Sequence, residues 1–190
     1  RLQNETLITV FASDIYGFDV RQLVALWGAQ VIGFAPTGER VVVLGRDQHA
    51  SAERALLAID LADGTVTELA RGTRLAEAVL SADRSWAAYM LSLDQHDPEA
   101  NGVWAVSLDG RPARKLPFQG AYRWRDGRRL AYVPLEPAAP VQSLWEVDVE
   151  TLATRQLFGP ELGWLDIANH DWSISPDGHS MAYVSERDRN

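Results

Sequence analysis

Two identical tripeptides, Asp47-Gln48-His49 and Asp94-Gln95-His96, are the residues of this chain best suited to chemistry, and Asn169-His170-Asp171 adds a third pairing of imidazole with carboxylate. Neutral imidazole nitrogens and carboxylate oxygens together ligate divalent zinc or nickel, and the same groups hydrogen-bond polar ligands. A shared site would need side chains among Asp47, His49, Asp94, His96, His170 and Asp171 to converge within about 2.0–2.2 Å of one ion. The plainer reading is that two related segments share a solvated loop, since loops are polar by default. We therefore assign no metal, no cofactor and no catalytic residue from these tripeptides.

Other stretches are weaker. Asp97-Pro-Glu-Ala-Asn-Gly102 places oxygen ligands at alternating positions, like the start of a calcium loop. Leu108 stands where the closing carboxylate should be, so an ordinary loop ending on a glycine is expected. Arg123, Arg125, Arg128 and Arg129 crowd one turn, either as a solvated turn or as a fork for an acidic partner. G-x-S-x-G, H-E-x-x-H, Walker and G-x-G-x-x-G patterns do not occur in the sequence. Asn4-Glu5-Thr6 is read as a coincidental glycosylation sequon.

Composition narrows the classes further. A formal charge of -8 argues against nucleic acid, which demands a basic face. Nothing approaches the run of about 18 apolar residues of a membrane helix. Zero cysteines remove disulfides and thiolate chemistry together. Lys115 is the only lysine, which we read as a compositional bias towards arginine.

The elements that position these loops come from a repeat. Ile174-Ser-Pro-Asp-Gly-His-Ser-Met-Ala-Tyr-Val-Ser185 reads as a strand end, an Asp-Gly turn and a second strand. Earlier copies centre on Gly38, Arg84 and Gly127, each followed five residues later by Val43, Tyr89 and Tyr132, matching Tyr183. A second column aligns Asp14–Asp19, Ala55–Asp60, Gly102–Ser107 and Ser143–Asp148, with Tyr16, Leu57, Trp104 and Trp145 at its third place. Column agreement at roughly forty to fifty residues marks a repeat of four short strands, a to d. Val41-Val-Val-Leu44 is apolar on both faces, so each unit needs cover on two sides. Radially stacked four-stranded units meet that need, and the fold class is an all-β propeller.

The unit resembles the TolB-like, WD40-like (PD40-type) propeller repeat, through Ser175-Pro-Asp-Gly178, Met181-Ala-Tyr-Val-Ser185 and the Asp14-Ile-Tyr start of strand c. Arg84 at a turn glycine, Trp124-Arg125 for Ser-Pro and Ala35-Pro-Thr-Gly38 depart from it. The repeat columns divide the chain into pieces at about 1–29, 30–72, 73–119, 120–165 and 166–190, and the resemblance to a family of typically six blades implies a partial propeller from a longer chain. Strand a is expected near Ile32–Phe34, Ala78–Leu80, Ala121–Arg123 and Trp172–Ile174. Tyr89, Tyr132 and Tyr183 are expected to be buried and equivalent, and Tyr16, Trp104 and Trp145 to pack between blades. Trp27, Trp86 and Trp164 lie outside that column; Trp164 precedes a d–a loop, where exposure for binding is the alternative, and is expected to pack. The b–c and d–a loops, which carry the His and Asp residues, emerge on one face, and the four arginines on the other.

For function, the resemblance implies a non-catalytic scaffold of the bacterial envelope, periplasmic or extracellular. It would bind a protein or peptide partner, or a small polar ligand, without nucleic acid or membrane insertion. The alternative is an accessory propeller of a prolyl-oligopeptidase-like serine peptidase whose catalytic domain lies outside this segment.

Overall fold

A computed structural model describes residues 6–49, 51–92, 97–135, 142–159, 165, 167 and 171–185. Asn4, Glu5, Asp94, His96, Trp164 and His170 lie outside the described residues. The first sheet joins β1 (Leu7–Ala12), β2 (Arg21–Phe34), β3 (Arg40–Arg46), β4 (Glu53–Asp60) and β5 (Val66–Thr73) in that order. The second joins β6 (Ala76–Leu80), β7 (Trp86–Leu91), β8 (Gly102–Ser107) and β9 (Arg114–Lys115). The third joins β10 (Gly120–Trp124), β11 (Arg129–Pro134), β12 (Leu144–Asp148) and β13 (Thr154–Phe158), and β14 (Trp172–Ile174) and β15 (Met181–Tyr183) form a last hairpin. Neighbouring strands are antiparallel throughout, and strand a of each unit falls where the repeat places it. Each sheet meets its neighbour in sequence, and the described sheets do not close into a ring.

The two-sided apolar strands have their cover. Val42 and Leu44 of β3 share a cluster with Ala87 and Tyr89 of β7, while Val41 and Val43 point the other way, into a cluster with Val10 and Leu26. Strand β7 repeats the alternation, sending Trp86 and Ala88 forward to meet Tyr122, Leu130 and Tyr132. Ala131 and Val133 in turn face Trp172. A period-two strand between two sheets must be apolar at every position, and these are.

Three expectations change. The segment Asp14–Asp19 is not strand c of a first unit. The Asp14 carboxylate accepts from the amides of Tyr16 (3.0 Å) and Phe18 (2.7 Å), closing a local turn that competes with strand formation. Tyr16 is consequently 83% exposed instead of packed between blades. The strand that pairs with the first half of β2 is β1, and at Gly28 (φ 59) β2 shifts register and pairs its second half with β3. Tyr89 and Tyr132 are buried, but Tyr183 is 42% exposed, because no further strand lies beside β15 among the described residues. Arginine abundance also has a structural use. Arg40 reaches Leu108 O (2.9 Å), Arg123 reaches Trp172 O (3.1 Å) and Arg125 reaches Gly178 O (3.0 Å), while Arg114 bonds Glu150 O. In each case a guanidinium of one sheet donates to a carbonyl of the next, a role its several planar donors fit better than an ammonium does.

The repeated Asp of the turns is a hydrogen-bond hub. Asp177 accepts from the Ser175 hydroxyl (2.5 Å) and the His179 amide (3.1 Å), and Asp126 accepts from the amides of Arg128 and Arg129. The Ser107 hydroxyl and then Arg111 hold the Asp109 carboxyl down at about 2, and the Ser175 hydroxyl and His179 amide lower Asp177. At Asp83 burial opposes the shift, yet the Ser81 and Ser85 bonds still bring the carboxyl below its ordinary value. Unfolded aspartates titrate near 3.9, so on acidification the unfolded chain takes up protons before the folded one. Stability from these turns is present above about pH 4 and fades as pH falls towards 2. Urea midpoints should therefore drop steadily between pH 5 and pH 2.5; an unchanged midpoint over that window would contradict the account.

Candidate functional site

The loops carrying His and Asp do not converge among the described residues. Asp47 forms a pair with Arg71 (3.2 Å), which also binds Glu68 (2.8 Å). The Arg71 hydrogen bond leads the causes that lower the Asp47 carboxyl. His49 packs edge-on against Trp27, ring centroids 4.3 Å apart. Asp171 is exposed and uses its backbone carbonyl to accept from Val184. Asp94, His96 and His170 fall outside the described residues, and among those described no group of three His, Asp or Glu could hold a metal ion.

The calcium-like stretch forms a short 3-10 turn, Pro98–Ala100, whose cap is Asp97: its carboxylate accepts from the Ala100 amide at 3.2 Å. The arginine turn is solvated, with Arg123, Arg128 and Arg129 exposed, and three of its guanidiniums are already held by carboxylates of this chain. Arg125 pairs with Glu146, Arg128 with Asp148 (2.6 Å) and Glu150 (3.1 Å), and Arg129 with Asp126 (2.6 Å). Trp86 is buried with the Arg111 guanidinium over its ring at 4.7 Å.

What the structure does bring together is a cavity of about 1070 Å³ on the b–c and d–a side. Its floor is built by the innermost strands: Gln30 from β2, Glu77 and Val79 from β6, and Ala121 and Arg123 from β10. Met90, Leu91 and Leu135, at the upper ends of the b strands, supply an apolar wall, and Asn101 a polar rim. In a closed propeller first strands surround the axis, so this cavity occupies the position of a channel mouth.

Local sequence explains the shape. Between Ala76 and Val79 the pairing of β6 with β7 slips, and Glu77 takes φ 54, a left-handed conformation uncommon for any residue but glycine. The bulge puts Glu77 outside the ladder and re-aims it. Tyr122 locks it there, its buried hydroxyl donating to Glu77 O at 2.8 Å, and Trp124 Nε1 donates to Val79 O at 3.1 Å. Burial first, and then the nearby Glu77 charge, push the Tyr122 phenol upward, so it stays a donor. Gly120 (φ 145) is required, because a Cβ there would meet Val133 O at 2.0 Å. The Arg123 guanidinium lies 5.4 Å over the Trp172 ring and donates to Tyr122 O at 2.8 Å. A carboxylate, a guanidinium, side-chain amides and an apolar wall in one cavity suit a ligand that is polar at one end. Sequence reasoning missed the mouth because its residues are spread over strand a of three units. The faint signal was Glu77 interrupting an otherwise apolar strand.

No family model matches the chain, and no curated protein is similar to it in sequence. Solved structures are similar in fold. One is an oligogalacturonate lyase in complex with manganese, with 18% identity over 93% of this chain and 53% of that one, at a TM-score of 0.66. Another is a protein assigned as TolB in Agrobacterium tumefaciens, with 17% identity over 79% of this chain and 56% of that one, at a TM-score of 0.50. A prolyl endopeptidase matches at 19% identity, 78% of this chain, 22% of its own and a TM-score of 0.52. The chain spans little more than half the length of the first two. At such identities the likeness establishes the fold alone, a β-propeller.

Proposed function

We propose that this chain is a non-catalytic propeller scaffold that binds a protein or peptide partner at its channel mouth, in the bacterial envelope. The observation that carries this is the cavity itself. It is formed where three rigid sheets converge, its polar groups are set by cross-sheet hydrogen bonds, and its wall is apolar. Pre-formed concave sites with a few fixed polar groups are the usual form of a ligand pocket. The fold shared with TolB supports the same reading. The fold shared with prolyl endopeptidase supports the alternative, an accessory propeller that filters access to a peptidase domain. A nucleophile elbow in the same polypeptide beyond Asn190 would decide for it.

The test is direct. Val79 lines the cavity and is 39% exposed, so Val79→Arg should fill the mouth without disturbing the core. On an array of overlapping peptides of arbitrary sequence, the native chain should show selective binding that Val79→Arg weakens at least about tenfold. Undiminished binding by that variant would sink the proposal.

A further inference from the structure

We infer that the channel mouth is a receptor for a protonated amine or guanidinium on an aliphatic stem, the side chain of a basic residue, with Glu77 as its anionic anchor. The inference rests on the mouth being the binding site and names what enters it. Glu77 is exposed within the cavity, and its backbone is pinned by Tyr122 at 2.8 Å in the left-handed conformation the bulge imposes. A non-glycine residue held in that region persists only where its surroundings over-determine it, and such residues concentrate at ligand sites.

The charge pattern points the same way. Glu77 is the one carboxylate among the described residues that line the cavity. Among the described residues nothing pairs with the Glu77 carboxylate. The guanidinium that shares the cavity, Arg123, donates to Trp172 O and Tyr122 O. The wall of Met90, Leu91 and Leu135 suits a methylene stem, which long basic side chains lay along apolar surface while the charged head finds its partner. A net charge of -8 draws cations towards the chain.

The test titrates the chain with N-acetyl-lysine-N-methylamide and with its uncharged isostere, N-acetyl-norleucine-N-methylamide, following backbone NMR shifts. The lysine probe should bind at least about tenfold more tightly and shift Ala121, Met90 and Leu135. Glu77→Asn removes the charge while tolerating the left-handed backbone, and should abolish the preference. Glu77→Asp, which keeps a carboxylate, should retain part of it. Equal binding of both probes, or a preference that survives Glu77→Asn, overturns the cation assignment and leaves the mouth standing as a site. No shift at the mouth with either probe overturns the inference too. Peptide-array binding that Val79→Arg still abolishes would then show that the mouth binds something else.

Discussion

Tyr132→Ala should lower the free energy of unfolding by about 3–5 kcal/mol, the range for large aromatic truncations in a core. Tyr132 is only 5% exposed, stacks on Phe118 with ring centroids 3.9 Å apart at 14°, and belongs to the cluster that joins the second and third sheets. Its removal opens a cavity between two sheets, where neither can collapse without breaking the cross-sheet bonds of Tyr122 and Trp124. Urea unfolding measures the loss directly. A change below 1 kcal/mol would show that the sheets do not form one cooperative unit. The same substitution at Tyr183 should cost roughly 1 kcal/mol or less, because that ring is largely outside the core.

The second large effect is expected at Glu146. This buried carboxylate of β12 receives Arg155 Nε at 2.9 Å and Arg125, whose Nε also holds Gly178 O of the last hairpin at 3.0 Å. Breaking a buried pair on one side typically costs 3–5 kcal/mol, since a charge is left without compensation. Here Arg125 keeps some solvent contact and Arg155 keeps much more, so about 2–3 kcal/mol is expected for Glu146→Ala. The variant should also loosen the β14–β15 hairpin. Hydrogen exchange at the Gly178 and Ser180 amides should accelerate, while exchange in β3 and β7 should not. Uniform acceleration across all sheets would mean that Glu146 acts on global stability alone.

Sequence by itself determined the period, the four-strand unit and the antiparallel meander. All three follow from short-range signals: an Asp-Gly turn, and a central strand apolar at every position. It also placed Tyr89 and Tyr132 in the core, because their column recurs in phase with the buried strand. Tertiary structure alone decided the rest. Asp14–Asp19 carries the apolar pattern of a strand, but the Asp14 carboxylate closes a turn there, and pattern matching does not weigh that competition. Tyr183 shares the column of Tyr132, yet burial depends on whether a neighbouring strand is present, which no local pattern encodes. The arginines around Arg125 read as a surface cluster until the turns of adjacent sheets bring their carbonyls within reach. The channel mouth lies furthest from sequence. Glu77, Ala121 and Arg123 become neighbours only because stacked sheets turn their first strands towards a common axis, and Glu77 faces the cavity only because a one-residue slip in β6 removes it from the ladder.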